Sequence, residues 1–316
     1  MHIFRDIREV RALSPNGSAI AMGIFDGVHA GHQVLLNRAV DLGEALELTS
    51  IAFTFAPHPA KVLAPKYAPL MLEPLGARLE RFESLGLDAV IVHPFDSQFA
   101  AISPEIFVRN TLAKILRARH VIVGEGFVFG AKQAGDAQLL ETLGSELGFE
   151  THSIQHIRLE GMLVSSTKIR EFVQNGHVDA AQLLLARPYE IIGECVQGAG
   201  RGKGLGFGTA NLRCTNEQLP ATGVYACFAT VGSRRWDAVV NIGYNPTFGA
   251  SGLKVEAHLL DFDGNELYGQ EVRLAMIGRL RSEVRFESPE ALKQQIAVDI
   301  EQARTILEAS RVDGKG

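Results

Sequence analysis

A chain of 316 residues is long enough for two domains, each able to bury its own core. With 46% hydrophobic and 21% charged residues it is not a disordered chain, and a formal net charge of −5 excludes the basic footprint that a nucleic acid polymer requires. Cys195, Cys214 and Cys227 lack zinc-site or disulfide spacing, and no secretory leader or run of about 20 apolar residues is found, so a cytoplasmic protein with no membrane partner is expected.

In chain order, the apolar segment Ala19 to Phe25 predicts a buried strand running into Gly27 and Gly31, where backbone can approach a ligand. Val34, Leu35, Ala39, Leu42 and Leu46 then recur at helical spacing, which places His29 and His32 near a helix N-terminus on one face. Free amides and the helix dipole favour an anion there, and two imidazoles suit the phosphates of a nucleotide. A pair of surface histidines beside a tight turn is the plainer reading of the same residues. Ile51 to Phe55 reads as the next strand, and Phe55-Ala56-Pro57-His58-Pro59 leaves it at the same sheet edge, with His58 read on chemistry alone as a turn residue.

Helices are expected over Glu73 to Leu85 and over Pro104 to Leu116, the latter with Ser103 as N-cap and Pro104 at the first helical position. Strands are expected at Ala89 to His93, His120 to Val123 and Glu150 to Ile154. This alternation predicts an α/β domain with a doubly wound parallel sheet. Ser165-Ser166-Thr167-Lys168-Ile169-Arg170 reads as a hydroxyl-rich helix start with two cations, suited to a pyrophosphate or, more simply, to an N-cap with a solvated basic face. The pattern changes near residues 184–188.

Beyond it, Tyr189 to Val196, Gly223 to Val231, Trp236 to Ile242, Leu253 to Phe262 and Glu271 to Ile277 read as strands of an antiparallel barrel or sandwich, closed by a helix over Pro289 to Leu307. The glycine-rich run from Gly198 to Gly208 fits neither a Walker A loop nor a dinucleotide fingerprint. In Leu253 to Leu260, strand alternation puts Lys254, Glu256 and His258 on one face, either as a surface ion-pair set or around a catalytic carboxylate.

Gly23 to Gln33 resembles the signature of the prokaryotic FAD synthetases, and the resemblance continues in order through Thr54–Pro59, Gly124–Gly130, Ser165–Arg170 and the second half to the C-terminus. That family joins an adenylyltransferase to a riboflavin kinase. The resemblance implies a Rossmann-like nucleotidyltransferase domain over 1–185 and a β-barrel kinase domain with a terminal helix over 186–316. It implies ATP contact at Gly23, Phe25, Asp26, Gly31, Ser165, Ser166, Thr167 and Arg170, with His29 and His32 catalytic. Flavin contact is implied at Pro57, His58, Phe127, Arg281 and Glu283; Phe127 and Phe129 read equally as strand-end core, and Arg281 and Glu283 as surface ion pairs.

In the kinase half the resemblance implies ATP contact at Gly202, Lys203, Thr209 and Asn211, magnesium at Thr209 and Asn211, and Glu256 as the base for the riboflavin 5′-hydroxyl. Two positions depart from the family pattern. Gly126 replaces an acidic or amide residue, and Gly208 replaces the proline before the threonine, which adds an ordering cost on the order of 1 kcal/mol or less. The expected chemistry is ATP-dependent conversion of riboflavin to FMN and of FMN to FAD, with small molecules as partners and a homo-oligomer left open. An adenylyltransferase with an impaired kinase, or a flavin-binding regulatory module without turnover, are the alternatives.

Overall fold

The computed structural model describes residues 1–12, 16–197, 209–244, 253–262 and 267–312. The chain falls into two compact units, one of Met1–Leu70 with Leu75–Val164 and one of Met71–Pro74 with Ser165–Gly316.

Six strands build the first unit: β1 (His2–Phe4), β2 (Ser18–Met22), β3 (Thr49–Phe55), β4 (Ala89–His93), β5 (Ala118–Gly124) and β6 (Glu150–Ile154). They form one parallel sheet in the order β1-β4-β3-β2-β5-β6. Parallel pairing forces crossovers, and helices α1 (Ala30–Leu46), α2 (Pro59–Leu63), α3 (Leu75–Ser84) and α4 (Ala137–Leu147) lie in them. Alternate residues of the central strands feed two separate cores. Ile20, Met22, Ile51, Phe53, Ile91 and Val121 enter one, while Ala19, Ala21, Ala52, Val90 and Ile122 enter the other with Leu35, Leu36 and Ala39 of α1. The alanine-rich face lets α1 approach the sheet closely. Chain order reverses about β2, whose neighbours are β3 and β5, so a crevice is expected beyond the carboxyl ends of those strands.

Several boundaries differ from the sequence reading. The predicted strand 19–25 stops at Met22, because Phe25 takes a left-handed φ of 53°. Val34 and Leu46 are exposed, so the buried stripe of α1 is Leu35, Leu36, Ala39, Leu42 and Gly43. The predicted helix 104–116 opens as one α-turn with the Ser103 hydroxyl accepting from the Ile106 amide at 3.3 Å, then widens to π-helical bonding over Phe107–Ile115. The wider turn sends Phe107, Val108, Thr111 and Leu112 inward together.

The second unit opens with α5 (Ser166–Gln174) and α6 (Val178–Leu185) and then forms a closed antiparallel barrel. Its strands are β7 (Tyr189–Val196), β8 (Ala210–Cys214), β9 (Gly223–Val231), β10 (Arg234–Tyr244), β11 (Leu253–Leu259) and β12 (Glu271–Arg281), in the order β7-β8-β11-β10-β9-β12. β12 pairs back onto β7, so the barrel leaves no open edge. Strand β8 is absent from the sequence reading, being short and directly after the glycine run. The predicted strand 253–262 ends at Leu259, and Asp261 turns the chain with a φ of 57°. Helix α7 (Pro289–Val312) lays Ala303 and Leu307 over Val224, Ala226, Phe228 and Val239 on the outside of the barrel.

Met71–Pro74 is stitched into this second unit. The Gln218 amide donates to the Met71 carbonyl at 3.1 Å, the Tyr189 hydroxyl to the Leu72 carbonyl at 2.8 Å, and Arg187 pairs with buried Glu73 at 2.9 Å. Leu72 is 1% exposed. Leu72→Ala should therefore destabilise the protein by about 2–5 kcal/mol, read from the denaturant midpoint of its unfolding, whereas a change within about 0.5 kcal/mol would show the segment to be loosely held.

Candidate active sites

The first site grows from the loop after β2. The Gly23 amide donates to the Phe53 carbonyl at 3.1 Å, and the Ile24 carbonyl accepts from Thr54 Oγ1 at 3.0 Å and from Arg78 Nη1 at 2.6 Å. Phe25 and Val28 sit at positive φ (53° and 36°), a conformation that costs roughly 1–3 kcal/mol at each such residue and persists only where the surroundings impose it. They do so here: Phe25 is fully buried against Phe82, and the Val28 carbonyl accepts from Gln33 Nε2 at 3.0 Å. Asp26 is buried within the same turn.

His29 is the N-cap of α1. Its Nδ1 accepts from the His32 amide at 3.2 Å, which leaves Nε2 as the proton-bearing end of the neutral ring. The two imidazoles stack with centroids 3.5 Å apart and planes 15° from parallel, and the Phe25 ring meets His32 edge-on at 5.3 Å. Gly31 makes that stack possible, because a Cβ there would lie 3.2 Å from both Cε1 and Nδ1 of His29. Arg78, buried in α3 and fastening the loop, was not singled out in the sequence; a guanidinium inside the apolar stripe Leu75, Leu79 and Phe82 is the signal that could have found it.

Other predicted residues are placed more plainly. His58 caps α2, its Nδ1 accepting from the Ala60 amide at 3.0 Å, and Pro57 is exposed beside it. Phe127 is half-buried and stacks on Phe129, which continues to Phe107, Phe53 and Phe55 as a chain of aromatic rings at the carboxyl end of the sheet. Gly126 has a φ of 74° with open space around it, so turn geometry accounts for glycine there. Ser165 caps α5 through the Lys168 amide at 3.2 Å, and Ser166, Thr167 and Arg170 occupy the first turns of that helix. Lys168 pairs with Glu171 at 2.9 Å.

The second site lies on the outer face of the barrel. Register sets Glu256 directly opposite Asn211 on β8 and opposite Asn241 on β10, so it stands between two asparagines at Cβ–Cβ separations of about 4.5–5.5 Å. Thr209 is exposed immediately before β8. The Glu283 carboxylate reaches the same face, for a Cβ on Gly243 would meet its Oε1 at 2.5 Å, and Gly243 pairs with Lys254. Arg281 makes a two-pronged bridge to buried Asp299 of α7, at 2.9 and 2.8 Å, which fastens the helix to the barrel. Asn241 is a further polar member that the sequence reading left unassigned. Gly202, Lys203 and Gly208 lie outside the described residues. The cysteines supply no activated thiol: burial pushes Cys214 up to about 11 and raises Cys195 and Cys227 as well.

Residues 12–168 match the family described as FAD synthetase and residues 185–307 the family described as riboflavin kinase. The chain is 35% identical over 300 residues to a protein of Escherichia coli strain K12 named bifunctional riboflavin kinase/FMN adenylyltransferase, covering 95% of this chain and 96% of that one. A Bacillus subtilis protein of the same name is 34% identical, with 90% and 91% covered. A solved structure from Streptococcus pneumoniae, described as a macrolide-efflux protein, superposes with a TM-score of 0.87 at 28% identity, covering 96% and 98%. Among the described residues no helix is long and apolar enough to cross a membrane.

Gly31→Ala isolates the histidine stack. Alanine suits the helix, but its methyl should push the His29 ring aside by a few tenths of an ångström. Imidazole nitrogen resonances of His29 and His32 should shift while the fold is retained; unchanged resonances would show that the stack does not depend on the missing Cβ.

Proposed function

We propose that this chain, which belongs to the bifunctional riboflavin kinase/FMN adenylyltransferase family, phosphorylates riboflavin to FMN and adenylates FMN to FAD, with the two steps run by the two constellations described above. What supports the division is that they fall in different units: His29 and His32 in the first, Asn211, Asn241 and Glu256 in the second. An impaired kinase or a module without turnover is not favoured, since both halves match enzyme families.

In adenylyl transfer an FMN phosphate oxygen attacks the α-phosphorus of ATP, the bond to the β-phosphate oxygen breaks, and pyrophosphate leaves. No covalent enzyme intermediate is required once both reactants are held in line. The capping bond aims the donor side of His29 away from its own helix, and the amides of α1 add a fixed positive end. With His32 stacked on it, charge that builds on the phosphate oxygens meets donors already in place. Gly23, Phe25, Asp26 and Gly31 shape this turn. Ser165, Ser166, Thr167 and Arg170, which open the second unit, offer hydroxyls, amides and a guanidinium of a kind that suits a pyrophosphate.

In the kinase step the riboflavin 5′-hydroxyl attacks the γ-phosphorus, its proton passes to Glu256, and ADP leaves. The flanking amides orient that carboxylate, which is only half-buried. Thr209 and Asn211 present a hydroxyl and an amide oxygen beside it, hard donors that suit magnesium. Bound there, magnesium would neutralise phosphate charge. Glu283 on the same face is the better placed of the two flavin candidates of the carboxyl-terminal region, since Arg281 is committed to Asp299. The free cysteines Cys195, Cys214 and Cys227 support a cytoplasmic location.

His32→Ala should lower FAD formation from supplied FMN by about 10²–10³-fold while leaving FMN formation from riboflavin intact. Glu256→Gln should do the reverse, lowering FMN formation by roughly 10²–10⁴-fold. Chromatographic separation of the flavins in a time course with ATP and magnesium reads both; loss of both products in either folded variant would overturn the division.

A further inference from the structure

We infer that the outer edge of the parallel sheet carries a binding site for a first-row divalent transition metal, with His120, His152 and Glu150 as ligands and Zn²⁺ as the type ion. His120 stands on β5, and Glu150 and His152 on the neighbouring edge strand β6, where register sets His120 opposite Glu150 and Ile122 opposite His152. Alternation therefore puts all three side chains on one face, the face covered by α1.

His120 Nδ1 and His152 Nε2 are 3.0 Å apart, and the Glu150 oxygens lie 3.6 Å from the first and 3.8 Å from the second. Two nitrogens on one tetrahedral zinc ion are separated by about 3.3 Å, given Zn–N bonds of about 2.0–2.1 Å, so small ring rotations would seat the ion. Burial holds both imidazoles below the usual histidine value, with Glu150 acting against it and Arg38 with it, which keeps them in the neutral form that binds metal. Glu150 is exposed and offers an entry path, and Arg38 of α1 is exposed enough to turn away. Three protein ligands leave a fourth position for water. Imidazole donors disfavour magnesium, so this site is distinct from the oxygen-lined kinase site. Its place is different from the catalytic turn as well: His120 is level with Ala19, about 10 Å along β2 from Met22 at a strand rise of about 3.3 Å per residue.

The test is titration of the untagged full chain, first stripped of metal, with Zn²⁺ by calorimetry and with Co²⁺ by visible absorption. One ion per chain should bind, Co²⁺ should give the intense d–d bands of a tetrahedral site, and Zn²⁺ should raise the unfolding midpoint. His152→Asn should weaken binding at least about tenfold. Glu150→Gln, at an exposed position that does not threaten folding, should also weaken it and keep both flavin conversions. No bound ion, or both variants binding like the parent, would leave the pair as a His–His hydrogen bond only and overturn the site.

Discussion

One side chain, His29, is held in place by two contacts at once: its Nδ1 closes the first turn of α1 and its ring face lies on His32. Either contact alone would leave the ring free to pivot, about the capping bond or in the plane of the stack. Together they fix both position and tautomer, so the Nε2 edge, proposed above to meet the phosphates, is set before any substrate arrives. That is preorganisation in its plainest form, since no reorientation is needed as charge develops. The price lies in the preceding turn, where Phe25 and Val28 occupy a backbone region that side chains avoid. Buried Arg78 and Thr54 grip the Ile24 carbonyl just before that turn and hold it against that tendency.

The barrel reaches a comparable result by another route. No helix terminus presents Glu256; lateral pairing does. Asn211, Glu256 and Asn241 come from three strands, and their alignment is a property of strand register. A slip of one residue in either pairing would send the amides to the other face, so the site and the closed ladder stand or fall together. Helix α7 secures the same face through the Arg281–Asp299 bridge, with Asp299 almost wholly buried and Gln295 donating to it at 2.9 Å. A carboxylate so enclosed needs both partners, and losing one would leave a buried charge uncompensated.

How much of this could be read from residues alone depended on whether the information was local. Ala89–His93, Glu150–Ile154, Tyr189–Val196 and Gly223–Val231 are found where expected, because each is an apolar or alternating run bounded by turn residues. The histidine pair was legible for the same reason, a strand, a turn and a helix start within about a dozen residues. Strand β8 was not, because five residues after a glycine run carry too little pattern. Asn241 gained meaning only from its register with a residue on the next strand, and Arg78 only from the carbonyl it reaches 54 positions earlier. The union of Met71–Pro74 with the barrel unit was equally hidden, since its partners at 187, 189 and 216–218 are remote in sequence.

Attack in the middle of a triphosphate and attack at its end pose different demands, and the proposed division assigns them to different architectures. At the α-phosphorus, charge builds on oxygens crowded by the nucleoside on one side and the leaving pyrophosphate on the other, so donors must be compact and fixed. Stacked imidazoles and the amides of a helix start would meet that need, as proposed, without long flexible chains. At the γ-phosphorus the nucleophile is a neutral alcohol, and something must receive its proton. In the kinase step proposed above Glu256 would be that acceptor, a half-buried carboxylate set by register between two uncharged asparagines.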